Sequence, residues 1–439
     1  MPNANSKKAL IIGNGFDLAH GLPTSYGDFI TFIKILKTYS GDWANVAFRD
    51  LFIEQTTDSI GFKSEWLNAI KEHYDIDDLH FDLTTIQDKL DNAWLNCFEP
   101  VHEIETWIDF ELEIKKILEI VADFLKFGRD KFNNGRSFEI ISYLDALVDK
   151  PLHTFNHARC IKLSYLKLID GYKIANDFSG QKTPANSKSA ERFEIASKFI
   201  KTYEPSLKAL DGSSVIDFLL HELNLFIELF SNYLLQVVNK ISLEVKKETL
   251  NISIDYDEIY SFNYTNTIGN LYRKSEVSYY FLHGSLQDKN IVLGVDEIET
   301  EMLGVAALGF TKYFQTLFKK SQSAFLDELE CLAQNFVGVD YYIWGHSLDL
   351  SDSKYIKRLF NELSFELANS NKIAYESMMD SNGNQFNLPE STVTVYYHDE
   401  SSRAKLLKNL LDIIGKEFIE KYIHQGFLRF EKSPEIWKS

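Results

Sequence analysis

Four apolar residues, Ala9 to Ile12, run directly into Gly13-Asn14-Gly15. The run is too short for a helix and suits a buried strand. Glycines placed straight after such a strand let the backbone turn sharply and approach another group with no Cβ in the way. Gly21-Leu22-Pro23-Thr24-Ser25 then reads as a second loop with a helix-start signal, after which Phe29, Ile30 and Ile33 resume helical spacing. A strand feeding a glycine turn is the usual entry to a nucleotide-binding α/β fold. The turn reads G-x-G and lacks the third glycine of the dinucleotide fingerprint.

A buried strand needs partners, and none follows closely. Residues 40 to about 250 read as mostly helical. Trp107, Phe110, Ile114, Ile117, Leu118, Val121, Phe124 and Leu125 recur at helical spacing, as do Val215, Phe218, Leu219, Leu225, Phe226, Leu229, Phe230 and Leu234. Phe178 to Lys188, polar and carrying Gly and Pro, reads as a loop. The pattern changes near residue 256. Strands are expected at Glu258–Phe262, Val277–Leu282, Ile291–Val295, Tyr341–Trp344 and Thr392–Tyr397. Helices are expected at Phe325–Phe336, Lys354–Leu367 and Arg403–Ile419. Strands alternating with helices imply a mainly parallel sheet covered on both faces. A chain of 439 residues also exceeds what one core usually holds. The expected fold is therefore an α/β, Rossmann-like sheet, split between residues 1–40 and 251–439 by a helical insertion at 41–250.

The formal net charge of −18 disfavours broad nucleic-acid binding, which depends on Lys and Arg against the phosphate backbone. Cys97, Cys160 and Cys331 are sparse and form no C-x-x-C pair, which suits a reducing cytosol. Met1 leads through polar residues into the first strand, so no signal peptide is expected. No apolar run reaches the length of a membrane span. The expected location is cytoplasmic.

Each expected strand ends in polar residues. The set is Gly13-Asn14-Gly15-Phe16-Asp17, Ser261-Phe262-Asn263-Tyr264-Thr265-Asn266, Leu282-His283-Gly284-Ser285, Gly294-Val295-Asp296 and Gly345-His346-Ser347-Leu348-Asp349. Any one of these is an ordinary turn composition. Five at corresponding ends of one sheet point to a site, because ligands of open parallel sheets sit at the carboxyl ends of the strands.

The opening G-N-G-F-D-L-A-H-G-L-P-T-S-Y, the W-I-D-F-E stretch at Trp107 to Glu111, S-F-N-Y-T, H-G-S and W-G-H-S-L-D-L-S-D together resemble the AbiH family of bacterial abortive-infection proteins. A more distant similarity is to sirtuin-like domains. It runs through Gly13, Gly15, Gly21-Leu22-Pro23, Asn263, His283-Gly284 and Gly345-x-Ser347. That similarity implies NAD as the ligand, with Asn263 and His283 acting on it. The sequence departs from the sirtuin-like pattern at Asn14, at Phe16-Asp17 and at Tyr264-Thr265.

The chemistry of these residue types agrees. Cleavage of a nicotinamide–ribose bond passes through an oxocarbenium-like state. Asn263 offers a donor and an acceptor to orient ribose and water. His283 has a pKa suited to a base near neutrality. Main-chain N–H groups of Gly13, Asn14 and Gly15 are expected to hold the diphosphate. Asp17, Gly284, Gly345 and Ser347 complete the expected ligand contacts. The expected function is hydrolysis of NAD or a related nucleotide at the N-glycosidic bond in phage defence. The expected partners are that nucleotide, a phage-derived trigger and a second copy of the chain, with no metal.

Four other readings compete. Gly345-His346-Ser347-Leu348-Asp349 resembles a hydrolase nucleophile elbow, with His398-Asp399-Glu400 as the base, but Asp349 stands where the elbow has glycine. Asp109 and Glu111, raised by the family resemblance, would suit a metal-dependent nuclease, yet no second acidic cluster completes the set. Their default, with Glu113, is a solvated helix face. His153, His157 and Cys160 lie at helical spacing without the Glu of a zinc motif. A non-catalytic nucleotide or phage-component binder is the fourth.

Overall fold

A computed structural model of the chain describes residues 7–57, 59–99, 107–135, 140–142, 157–174, 191–204, 207–272, 277–298, 300–319, 339–362 and 391–438. The strands of its main sheet are β1 (Lys7–Ile12), β2 (Glu258–Ser261), β3 (Ser278–Phe281), β4 (Val339–Trp344), β5 (Thr392–Tyr397) and β6 (Leu428–Lys432). The principal helices are α1 (Asn14–Ala19), α2 (Tyr26–Thr38), α3 (Trp107–Asn133), α4 (Gly212–Tyr233), α5 (Thr267–Tyr272), α6 (Ser353–Glu362), α7 (Glu400–Ile414) and α8 (Lys416–Gln425). By internal contact the chain forms two compact units. One comprises 1–83, 231–292 and 316–439, and the other 84–230 and 293–315.

The first unit holds the six-stranded sheet in the order β3-β2-β1-β4-β5-β6. Every neighbouring pair is parallel. The N-terminal strand is central, with Ala9 level with Glu258 on one side and Tyr341 on the other. This is the doubly wound order, which reverses direction between β1 and β4. A crevice outside the strand ends at that reversal is where such sheets receive ligands.

Period-two alternation decides which side chains cover which face. Ala9 and Ile11 join Tyr341, Ile343, Val393 and Val395 beneath Tyr355, Ile356 and Leu359 of α6, Leu406 and Leu410 of α7 and Ile419 of α8. Leu10 and Ile12 face the other way, onto Phe16 of α1, Ile268 of α5, Ile259 and Trp344. Burial on both faces accounts for the unbroken apolar run of β1. The expected helix start after Pro23 is a capping box. Ser25 Oγ accepts the Asp28 N–H at 3.0 Å, while Asp28 Oδ2 accepts the Ser25 N–H at 3.1 Å.

The second unit is built on α3 and most of α4, the two helices read from apolar spacing. Phe110, Ile114, Ile117, Val121 and Phe124 are all buried. Within this unit the mostly helical reading missed five short strands among the described residues. Ile140–Ser142, Ile169–Ile174 and Glu191–Ile195 form an antiparallel sheet, and Ile200–Glu204 pairs with Leu207–Leu210. Four of the five carry the β-branched residue Ile, which fits strands, and runs this short are easily lost beside long helices.

Other differences are local. Ile291–Val295, expected as a strand, forms none. The Leu293 N–H and C=O bond the side-chain amide of Gln315 at 3.2 and 2.7 Å, and Val295 has only an isolated bridge to Thr311. The helix expected over Arg403–Ile419 is two helices, broken at Gly415 with φ of 97°. Strand β6 was not anticipated. Phe325–Phe336, the end of Lys354–Leu367, Phe178–Lys188, His153 and Cys331 lie outside the described residues. Among the described residues no helix is long and apolar enough to cross a membrane.

Candidate functional site

The glycines after β1 pack against the turn after β4. Gly13 N–H donates to Trp344 O at 3.2 Å and Gly15 N–H to Gly345 O at 2.8 Å. A Cβ on Gly15 would stand 2.8 Å from that same oxygen, and one on Gly345 only 2.0 Å from the Phe16 nitrogen. Gly345 is also left-handed, at φ of 70°. Glycine is required here so that two backbones can touch across the sheet reversal. Phe16 N–H returns to Gly13 O at 2.9 Å. The donors of Gly13, Gly15 and Phe16 are thus committed to protein carbonyls, which corrects the expectation that this turn offers them all to a diphosphate. Asn14 is the first residue of α1, so its N–H has no partner within the helix.

Asp17 was expected to touch ligand. It is instead buried, 1% exposed, and accepts the Thr265 hydroxyl at 2.7 Å. Burial pushes its carboxyl up to about 6, with hydrogen bonds from Thr265, Thr267 and Asn263 opposing. It braces the turn from behind. His20, one turn along, is equally buried. Its Nδ1 donates to Phe16 O and its Nε2 accepts the Tyr272 hydroxyl, each at 2.7 Å. Burial pulls this imidazole down to about 4, outweighing the Phe16 carbonyl, so it is neutral.

Asn263 follows β2, and its Nδ2 donates to Gly13 O at 3.0 Å. The Ser261 hydroxyl turns the chain beneath it, accepting the Asn263 N–H and donating to its carbonyl, each at 3.1 Å. His283 follows β3. Gly284 turns left-handed at φ of 84°, where a Cβ would strike Asn290 O at 2.2 Å. Asn290 Oδ1 accepts the Ser285 N–H at 2.8 Å, and Val292 N–H closes the loop onto His283 O at 2.9 Å. This clasp holds the imidazole at the end of its strand.

Three ionisable side chains meet there. His283 Nε2 lies 2.9 Å from Asp352 Oδ1, and His346 Nε2 lies 3.3 Å from Asp352 Oδ2. Side-chain exposures are 12% for His283, 10% for Asp352 and 4% for His346. Phe262 separates the two rings, its centroid 5.1 Å from His283 and 4.0 Å from His346. Low exposure strengthens each charge interaction relative to water. Asp352 was read only as the last letter of W-G-H-S-L-D-L-S-D. Its place one turn beyond a strand-end His was the available signal.

Ser347 is half-buried, and its carbonyl accepts Asn409 Nδ2 at 2.9 Å. In this turn the left-handed residue besides Gly345 is Leu348, at φ of 53°, and not the serine. Asp349 caps the next turn through Ser351 N–H at 3.2 Å. The strained serine of a nucleophile elbow is absent from this turn, and His398 is 77% exposed on its side chain beside Asp399.

Asp109 and Glu111 belong to the second unit. The Glu111 carboxylate pairs with Lys312 at 2.7 Å, both side chains being largely buried. Glu113, expected on a solvated face, is also buried and pairs with Lys162. Cys160, in the helix His157–Tyr165, is buried and outside any disulfide, as is Cys97.

The family model described as Bacteriophage abortive infection AbiH matches residues 9–371. No curated protein and no solved structure matches the chain.

Proposed function

The chain belongs to the AbiH family of bacteriophage abortive-infection proteins, and we propose that it serves phage defence by hydrolysing NAD or a related nucleotide at the N-glycosidic bond. The observation that carries this reading is the His283–Asp352 pair at the carboxyl end of a doubly wound sheet. His283 accepts a proton from a ribose hydroxyl or from water, and Asp352 stabilises the imidazolium that forms. Asn263, steadied by its bond to Gly13, orients the ribose and the attacking water. Phosphate contacts fall to the Asn14 amide, the Gly284 turn and the Ser347 hydroxyl. A distant similarity to sirtuin-like domains, in the order Gly13, Asn263, His283, Ser347, points the same way.

Purified protein incubated separately with NAD, ATP, RNA and DNA, with products read by mass spectrometry, tests the proposal. Wild type and His283→Ala are also assayed in phage-infected cells, to supply the proposed trigger. Released nicotinamide and falling NAD are expected, both lost in His283→Ala. Full protection by His283→Ala, with NAD steady in infected wild-type cells, overturns it. Cleaved RNA or DNA identifies a nuclease instead, and binding without products identifies a non-catalytic nucleotide receptor.

A further inference from the structure

The second unit holds a cavity of about 490 Å³, lined entirely by residues within 125–216 and 301–306. That size suits a small molecule. One side is the last turns of α3 and another is the strand pair spanning 200–210. The start of α4 and the 301–306 segment complete it. Leu125 and Ile216 supply buried apolar lining.

Three kinds of polar or aromatic group meet there. Phe132 and Tyr203 lie with ring centroids 4.9 Å apart, tilted by 47°. Tyr203 is nevertheless 60% exposed, so much of its ring has no protein cover. Arg129 and Glu301 are exposed as well. They form no ion pair with each other, nor with any other group among the described residues. Opposite charges that line one cavity without meeting leave room for an occupant that reaches both.

Each group selects a different part of that occupant. An open aromatic ring stacks on a flat base, whichever base it is. A guanidinium without a carboxylate partner binds phosphate through two parallel N–H donors. A carboxylate only accepts, so it takes hydroxyl donors such as those of a ribose. A purely apolar ligand would cover both charges and give them no partner, which is costly. We infer that this cavity is a mononucleotide site, with the base on Tyr203, the phosphate on Arg129 and the ribose hydroxyls on Glu301. None of these residues belongs to the strand-end set of the first unit, so the inference is independent of the N-glycosidic reading.

The full chain is titrated by calorimetry with AMP, and with adenosine and inorganic phosphate as its fragments. Cross-linking with 8-azido-AMP, mapped by peptide mass spectrometry, separates this cavity from the strand ends. AMP should bind, with the cross-link on peptides carrying Phe132 or Tyr203. Tyr203→Ala should weaken AMP and adenosine alike, about tenfold. Arg129→Gln should weaken AMP by about tenfold or more and leave adenosine unchanged. Glu301→Gln should erase the preference for AMP over its 2′,3′-dideoxy form. All three side chains are exposed, so each variant should fold, and melting temperatures check this.

No binding at millimolar AMP overturns the inference. So does a cross-link confined to peptides of the first unit, or AMP binding left intact by both Tyr203→Ala and Arg129→Gln. AMP bound in this cavity by a protein that leaves NAD untouched upholds the site and overturns the N-glycosidic reading alone.

Discussion

Asn263 Nδ2 donates to the carbonyl oxygen of Gly13 at 3.0 Å, joining residues 250 positions apart. The bond ties the end of β2 to the turn after β1. Asn263→Ala removes one of two donors to the Gly13 carbonyl, which keeps the Phe16 N–H, so the loss is that of a single hydrogen bond, roughly 0.5–1.5 kcal/mol. Urea denaturation should show that loss, and NAD hydrolysis should fall with it. An unchanged midpoint together with full activity contradicts both roles given to Asn263.

Asp352→Asn keeps the shape of the side chain and removes its charge. His283 then loses the group that stabilises its protonated form. A drop in activity of about 10²-fold or more is expected, on the scale of a lost general base. Circular dichroism checks that the fold persists. Activity within twofold of wild type would remove Asp352 from the mechanism.

Gly345→Ala places a methyl 2.0 Å from the Phe16 nitrogen, in a left-handed residue. Gly21 is also left-handed, at φ of 77°, but a Cβ there meets nothing within 4 Å. Gly21→Ala should cost only the backbone term of about 1–2 kcal/mol. Gly345→Ala should cost clearly more or prevent folding, since backbone cannot move aside as a side-chain tip can. Equal melting temperatures for the two variants would contradict backbone contact as the reason for Gly345.

Asp17 and His20 give opposite pH dependences in nearly the same window. The Asp17 carboxyl rises from 3.8 to about 6 in the fold. Relative to an unshifted acid, its contribution is fully present below about pH 4 and is lost as pH rises through 6. Its ionised form costs about 3 kcal/mol at neutral pH. Asp17→Asn should therefore be more stable than wild type at pH 7, with the difference shrinking toward pH 4. Denaturant titrations at several pH values measure it.

His20 falls from 6.5 to about 4. Its contribution is fully present above 6.5 and is lost as pH falls through 4, again by about 3 kcal/mol. In Asp17→Asn this slope is no longer offset, so stability should fall more steeply on acidification than in wild type. His20→Gln should remove that slope while weakening the contacts to Phe16 and Tyr272.

Local chemistry made much of the fold legible. The apolar run of Ala9 to Ile12, the glycines after it, the helical spacing through α3 and α4 and the helix-start signal ending at Ser25 each act within a few positions, so the chain states them directly. The lone first strand likewise required partners from the far half of the chain. Three-dimensional pairing decided the rest. Parallel registry of β1 with β4 brings Gly15 against Gly345, and this backbone contact explains those glycines. The same registry turns His346 and Asp352 toward His283. It also puts Asp17 behind the turn, where desolvation and not sequence neighbours sets its charge. Burial and approach across the sheet depend on which strands become neighbours, and residues hundreds of positions apart carry no local mark of that.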